Sequence, residues 1–277
     1  MRIQKADRLV SYRNNPLVEV ICQARFRRSE ASGPPPGFLK DLASAGYEVV
    51  TEVGLVNVNF NVMGAEPGGT EVHESISPPM AVGLQTYNCM TSDGNWTVAF
   101  SAESVSLSCK VYSNWTEFRS RFIKAVELYG AWYPKAKAVR LGLRYKDLVD
   151  REKLGLADLE WHELIQPFLL GALASGVFAD DAAIPDAGVA GCLTHALVKL
   201  ADCSLTLQSA FLRSVTDSAK TVFLIDSDFF KDSGDILELA YASDVLDASL
   251  KVLHEHAGDM FRRVIKEELH AALEPIG

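Results

Sequence analysis

The sequence predicts an α+β fold, in which an antiparallel sheet or sheets pack against helices and a long amphipathic helix closes the chain. Several short segments alternate apolar and polar residues with a period of two, which is typical of half-buried antiparallel strands. Turn residues such as Ser92-Asp93-Gly94-Asn95 separate these segments. Apolar residues recur at spacings of three and four from about Asp235 to Leu273, which indicates the closing helix.

The first half of the chain contains the clearest strands. Leu17 to Phe26 alternates along its length and is predicted to open the sheet. Ser104 to Tyr112 alternates strictly and should form a hairpin with the segment before it. The remaining predicted strands of this half are Val49 to Val62, Val72 to Cys89, Trp96 to Phe100 and Ala136 to Leu148.

Two helices are expected between these strands. A short helix near Phe38 to Ala45 should end at Gly46. Asn114 or Thr116 should cap a longer helix that runs to about Tyr133, where apolar residues recur at helical spacing.

The second half shows weaker patterns. Leu156 to Ser175 has helical spacing, but Pro167 predicts a break within it. An antiparallel meander of three strands should follow, formed by Val189 to Leu200, Cys203 to Leu212 and Thr221 to Phe229. We expect an N-terminal α+β half over 1–150 and a C-terminal α+β half over 151–277, or alternatively one continuous domain.

Charge and hydropathy exclude some classes of partner. The chain has 36 acidic against 27 basic residues, a net charge of -9, and contains no basic run, so we expect no nucleic-acid partner. Its longest uncharged apolar stretch, Phe168 to Ala179, falls short of the roughly 20 residues of a membrane-spanning helix. Met1 to Asn15 lacks the apolar core of a signal peptide, which predicts a soluble cytoplasmic protein without a transmembrane segment.

The cysteines point to the same compartment. They are five in number and widely spaced, and most lie in apolar or alternating segments, as expected of buried thiols in a reducing compartment. No CxxC pair and no Cys/His cluster with zinc spacing occurs along the sequence. We therefore predict no cofactor and no structural metal.

Asp226 and Asp228 are the residues that most invite a metal hypothesis. Two carboxylates at positions i and i+2 of a strand point to the same side and could share a hard cation such as Mg²⁺. The simpler interpretation, which we favour, is that these acids are exposed where the strand leaves the core.

His254-Glu255-His256 lies within the closing helix. Residues at i and i+2 do not face each other on a helix, unlike the i and i+4 histidines of a zinc-binding HExxH motif. The sequence therefore favours a solvated helix face at this point.

Charged and amide side chains that share strand faces form the best candidate binding site. Glu19, Gln23 and Arg25 lie on one face of the first strand, and Arg140 and Arg144 lie on one face of a later strand. If the two strands are neighbours, these five residues form a polar surface for an anion or a protein. A solvated face with weak ion pairs is the alternative.

Several core and strand patterns resemble a sporadically distributed, uncharacterised family of bacterial proteins. The residues that carry the resemblance span nearly the whole chain: Asn15 to Val20 with Arg25-Phe26, Trp96, Phe100, Leu107 to Tyr112, Trp115, Phe118, Arg140 to Tyr145, His254 and Phe261. Members have no assigned reaction, so the resemblance supplies no active site. The patchy distribution implies horizontal transfer, which is common among defence and toxin-antitoxin loci.

Two classes of function follow. The first is a non-catalytic interaction protein, a sensor or partner component of a bacterial defence or toxin-antitoxin system. It would bind another protein, such as one encoded in the same operon, or a second copy of itself. The alternative is a module that binds a lipid or small apolar molecule in a cavity between a curved sheet and the closing helix. An enzyme that uses Asp226 and Asp228 with a metal is less favoured, because the sequence contains no nucleophile elbow or phosphate-binding loop.

Overall fold

The computed structural model describes residues 3, 10–27, 37–54, 85–174, 189, 191–213, 221–232 and 243–276. Its strands are β1 Ser11–Tyr12, β2 Leu17–Arg27, β3 Val49–Gly54, β4 Gln85–Met90, β5 Trp96–Ser101, β6 Ser104–Cys109, β7 Lys137–Val149, β8 Cys192–Lys199, β9 Ser204–Arg213, β10 Thr221–Asp232 and β11 Pro275–Ile276. Its α-helices are α1 Phe38–Ser44, α2 Trp115–Trp132, α3 Trp161–Leu164, α4 Pro167–Leu170, α5 Ser243–Val264 and α6 Glu267–Ala272, and a 3₁₀ turn covers Gly171–Ala174. The predicted strand segments 55–62 and 72–84 lie outside the described residues.

Within the described residues, the main sheet has nine strands in the order β3-β4-β5-β6-β2-β7-β10-β9-β8, and all neighbouring strands are antiparallel. This arrangement confirms the predicted α+β class. It also contains the predicted meander of β8, β9 and β10. Pairing of β7 with β10 joins strands from the two sides of residue 150 into the same sheet.

Helices pack against one face of this sheet, which we call the helix face. Strand alternation places Val20, Cys22 and Ala24 of β2 on it, and all three are buried. Further across the sheet, Phe229 of β10 stacks on His256 of α5. At the far end, Ser209 of β9 donates a hydrogen bond to the Leu169 carbonyl in α4. The sheet and this helical layer therefore enclose the hydrophobic core.

Helix α2 begins where the sequence predicts. The Asn114 side chain accepts a hydrogen bond from the Glu117 backbone N–H at 2.9 Å, so Asn114 rather than Thr116 is the cap. At the other end of the helix, the Tyr129 ring stacks on Phe26 of β2 and its hydroxyl donates to the Ala102 carbonyl. These contacts fix α2 across the first half of the sheet.

The long closing helix is present, but it ends earlier than predicted. Helix α5 stops at Val264, because Ile265 forms an antiparallel β-bridge with Ile165 and the next residue, Lys266, is extended. Lys266 then donates its N–H to the Leu164 carbonyl, and α6 starts behind it. A tertiary backbone contact thus divides what the apolar spacing alone presents as one helix. The predicted residues 235–242 lie outside the described residues.

The break predicted at Pro167 is confirmed. Gln166 is extended and caps α4, with Pro167 at its first helical position, where a missing N–H costs no hydrogen bond. Between Leu156 and Ala174, only α3, α4 and the 3₁₀ turn are helical. Gly155, with a positive φ, forms a turn just before this segment, and the β-bridge of Ile165 separates α3 from α4.

The two ends of the described chain meet beside α5. Strands β1 and β11 pair through Ser11 with Ile276 and Tyr12 with Pro275. The Tyr12 hydroxyl is 3.0 Å from Nδ1 of His270. None of the described helices combines the length and the apolar character needed to cross a membrane.

Candidate functional site

The candidate site lies on the sheet face opposite the helices, at its centre. We call this surface the polar face and define it by eight residues of β2, β7 and β10: Glu19, Gln23, Arg25, Arg140, Arg144, Lys146, Asp226 and Asp228. Strand alternation places all of them on the side away from the buried apolar residues.

The two strands that carry the five predicted residues are direct neighbours. The antiparallel register places Arg25 opposite Arg140, and Gln23 opposite Gly142. Glu19 lies opposite Lys146 and accepts from its Nζ at 2.6 Å. The structure therefore brings the five predicted residues onto one surface and adds Lys146, which the sequence analysis missed.

Arg144 and Asp226 are joined by two hydrogen bonds on the polar face. Nε of Arg144 donates to Oδ1 of Asp226 at 2.7 Å and Nη2 donates to Oδ2 at 2.5 Å, so the guanidinium and carboxylate meet in a bidentate pair. Asp226 is only 2 % exposed. Burial opposes the charge of Arg144, but hydrogen bonding and the negative charge of Asp226 outweigh it, so the pKa of Arg144 is raised above its usual value.

Arg140 depends on the glycine two positions along its strand. Its Nη2 donates to Oδ2 of Asp228 at 2.6 Å, and its guanidinium lies 4.4 Å from the centre of the Phe230 ring. A Cβ placed on Gly142 would lie 2.7 Å from Nη1 of Arg140 and 3.2 Å from Oδ1 of Asp228. The space left by the missing side chain is therefore where this ion pair forms.

Asp226 and Asp228 share one face of β10, as their spacing predicts. Each accepts hydrogen bonds from an arginine of β7. In this arrangement the two arginines balance the carboxylate charge. The expectation that these acids are exposed at the end of the strand is wrong for Asp226, since β10 continues to Asp232 and Asp226 is buried.

The same side of the sheet continues beyond the polar face, across β9 to β8, the last strand of the described sheet. His195 and Leu197 of β8 lie opposite Gln208 and Thr206 of β9, which in turn lie opposite Asp226 and Asp228. Leu193 and Leu197 are 45 % and 69 % exposed, and they share this face with His195 between them. Two exposed apolar side chains thus share the sheet face of the ion pairs, from which β9 separates them, and the sequence analysis did not single them out.

His254 differs from the expectation of a solvated helix. Its ring stacks on Trp115 at a centroid distance of 4.1 Å, and Nδ1 is 2.8 Å from the hydroxyl of Tyr145 on the helix face. Burial lowers the pKa of His254 to about 4, so the ring is neutral near pH 7. Burial also raises the pKa of Tyr145 well above its usual value. The hydrogen bond with Tyr145 of β7 explains why the polar residue His254 lies on the side of α5 that faces the sheet.

Asp147 is a buried acid on the helix face of β7. It is 7 % exposed and lies opposite Leu17 and Ile225 of the neighbouring strands. Burial, followed by repulsion from Asp226, raises its pKa to about 8. Asp147 is therefore protonated in the folded protein near pH 7, which no local sequence pattern indicates.

Comparison with protein-family models, with curated proteins and with solved structures finds no match for this chain. The case for a function therefore depends on the site itself.

Proposed function

We propose that this protein is a non-catalytic interaction protein that docks another protein on the polar face and on the adjacent surface of β8. The observation that carries the proposal is the exposure of Leu193 and Leu197, at 45 % and 69 %, on the same sheet face as the row of ion pairs. Exposed apolar side chains beside fixed polar groups are the usual composition of a protein interface.

The ion pairs make this surface suitable for recognition. Arg140 and Arg144 are held by Asp228 and Asp226, so their guanidiniums have little rotamer freedom left to lose when a partner binds. Arginine is also among the residues enriched at energetically dominant interface positions. A partner would therefore meet a rigid pattern of charges rather than mobile side chains.

Charge favours a different protein over a second copy. The polar face contains four cations, Arg25, Arg140, Arg144 and Lys146, and three anions, Glu19, Asp226 and Asp228, so it is nearly balanced. The whole chain carries a net charge of -9, so two copies repel each other at long range. The same balance supports a protein partner over a nucleic acid, which needs an excess of positive charge.

The alternative function places a lipid or small apolar molecule in a cavity between the sheet and α5. The side chains that would line such a cavity are buried in the hydrophobic core: Leu246, Leu250, Leu253, Ala257, Met260 and Val264. Native mass spectrometry tests this alternative, because a bound lipid or apolar molecule would add mass that disappears on denaturation. A ligand mass that is lost on substituting Leu253 by Asp, in a variant that still folds, would replace our proposal with the ligand-binding function.

The biological setting that we propose is a bacterial defence or toxin-antitoxin system. Its support is the resemblance to a sporadically distributed bacterial family. The products of adjacent genes are therefore the first partners to test by co-expression. If none of them binds, this setting loses its support, whereas the docking surface can still be tested with host proteins.

A matched pair of variants tests the docking surface. Leu197→Lys places a charge on the proposed surface, and Val245→Lys places the same charge on α5, where Val245 is 46 % exposed on the other side of the sheet. We expect a protein that co-purifies stoichiometrically with the wild type to be retained by Val245→Lys and lost with Leu197→Lys. Equal retention by both variants would contradict the proposal. Dissociation of a wild-type oligomer by Leu197→Lys alone would identify a second copy as the occupant.

A further inference from the structure

A second cluster of polar groups lies on the helix face, at the turn between β8 and β9. The Leu200 N–H donates to the Cys203 carbonyl at 2.9 Å and closes this turn, which places Asp202 and Cys203 beside His256 of α5. One donor atom from each of Asp202, Cys203 and His256 lies within 4.8 Å of the other two. Within the described residues, no other three Asp, Glu, Cys or His side chains converge in this way.

Each of the three side chains is positioned differently. The His256 ring lies parallel to Phe229, with an interplanar angle of 10°, and its Nε2 is 2.8 Å from Oδ1 of Asp202. Cys203 is 3 % exposed and reaches the cluster from the core, whereas the Asp202 side chain is 50 % exposed and approaches from solvent. The cluster is therefore anchored on its inner side and accessible on its outer side.

We propose that Asp202, Cys203 and His256 bind a single zinc ion. Thiolate, imidazole and carboxylate are the three protein ligands that Zn²⁺ uses, at bond lengths of roughly 2.0 to 2.3 Å, so the donor atoms of one tetrahedral site lie about 3 to 4 Å apart. Nε2 of His256 and Oδ1 of Asp202 are 2.8 Å apart, close to that spacing, and all three donor atoms lie within 4.8 Å of one another. Three protein ligands leave a fourth position for water or for a group from a partner.

A hydrogen bond explains the contact between Asp202 and His256, and Cys203 also belongs to the hydrophobic core, but neither role requires the three donor atoms to converge. The buried Cys203 adds a soft ligand at the same point, and a thiolate is the group that distinguishes a zinc site from a surface ion pair. Sequence spacing hides the site, because His256 lies 53 positions after Cys203.

Binding must release protons for the charges to balance. The Cys203 thiol loses its proton to solvent and bonds to the metal as a thiolate, and His256 coordinates through Nε2 while any remaining ring proton stays on Nδ1. Asp202 exchanges its hydrogen bond with His256 for a metal bond. Zinc binding would therefore weaken as the pH falls, and it would tie the β8–β9 turn, at the end of the strand that carries Leu197, to α5.

The test is metal titration of the chelator-treated, tag-free protein. Zn²⁺ should bind with one-to-one stoichiometry, and Co²⁺ should give a thiolate-to-metal charge-transfer band in the near ultraviolet. Cys203→Ser should abolish the band. Asp202→Asn, on the exposed side of the turn, should weaken binding by roughly 10- to 100-fold or more while the fold is retained, as judged by circular dichroism.

Cys192→Ser is the matched control, because Cys192 is a partly exposed thiol on the same hairpin, outside the cluster. It should keep both the stoichiometry and the band. The proposal is overturned if the wild type gives no Co²⁺ band, if the band survives in Cys203→Ser, or if Asp202→Asn binds as tightly as the wild type. If Cys203→Ser does not fold, the wild-type band and the Asp202→Asn titration still decide the outcome.

Discussion

Arg144 of β7 and Asp226 of β10 form a bidentate ion pair across two neighbouring strands, although the register places Asp228, and not Asp226, directly opposite Arg144. The diagonal contact leaves Asp228 available to Arg140, which reaches it over Gly142. Two arginines of one strand are thus matched to two acids of the next. This pairing allows charged side chains to be partly buried at the centre of the polar face.

The first prediction concerns the stability of this pair. Arg144→Met removes the bidentate partner of a carboxylate that is only 2 % exposed, so we expect a loss of about 3 to 5 kcal/mol in the free energy of unfolding. Urea denaturation of the variant and the wild type measures this loss in the free energy of unfolding. Arg13→Met serves as the control, because the Arg13–Glu274 pair is largely exposed and should contribute less than about 1 kcal/mol. Equal losses for the two variants would contradict the assigned burial of Asp226.

A second prediction concerns Gly142. Gly142→Ala should displace the Arg140 guanidinium, because the added Cβ would lie 2.7 Å from Nη1, and the ion pair with Asp228 should be lost. We expect a destabilisation of about 1 kcal/mol or less, because the atoms that the Cβ meets are the ends of flexible, partly exposed side chains that can move away.

A double-mutant cycle separates this effect from a general cost of the methyl group. In the Arg140→Met background no guanidinium meets the new Cβ, so Gly142→Ala should cost clearly less than in the wild type. Strictly additive effects in the cycle would show that Arg140 does not depend on the space at Gly142.

Local patterns predicted much of the secondary structure, because a period of two in β2, β6 and β7 directly reports which side of a strand is buried. They could not predict that β10 lies beside β7, since the register between strands so far apart in sequence is set by the whole fold. The partners of Arg140 and Arg144 were therefore missed, and Asp226 was interpreted as an exposed acid. The same limit explains His254, whose partner Tyr145 is 109 residues away.

The third prediction is the pH dependence contributed by Asp147. Burial raises its pKa to about 8 in the folded protein, whereas an unfolded aspartate has a pKa of about 3.9. Between these values the folded state holds a proton that the unfolded state has lost, so the free energy of unfolding falls as the pH rises from about 4 to about 8.

Asp147→Asn mimics the neutral acid and should remove this slope. The stability difference between variant and wild type should grow with pH by up to about 1.4 kcal/mol per unit, as measured by denaturation at several pH values. A constant difference would contradict the raised pKa.

The fourth prediction concerns His254, whose contribution has the opposite sign. Burial lowers its pKa to about 4, against about 6.5 in an unfolded chain. Between these values the unfolded state binds a proton that the folded state does not, so this residue makes the protein more stable as the pH rises from about 4 to about 6.5. In the wild type, Asp147 opposes this trend over the same interval, and the two slopes largely cancel.

The Asp147→Asn background makes the His254 contribution measurable. There the free energy of unfolding should rise between pH of about 4 and about 6.5 with a slope of up to about 1.4 kcal/mol per unit. Adding His254→Gln should flatten that interval, because glutamine can still hydrogen-bond the Tyr145 hydroxyl but does not titrate. An unchanged slope in the double variant would assign the pH dependence to other groups and would mean that His254 is accessible to solvent despite its stacking on Trp115.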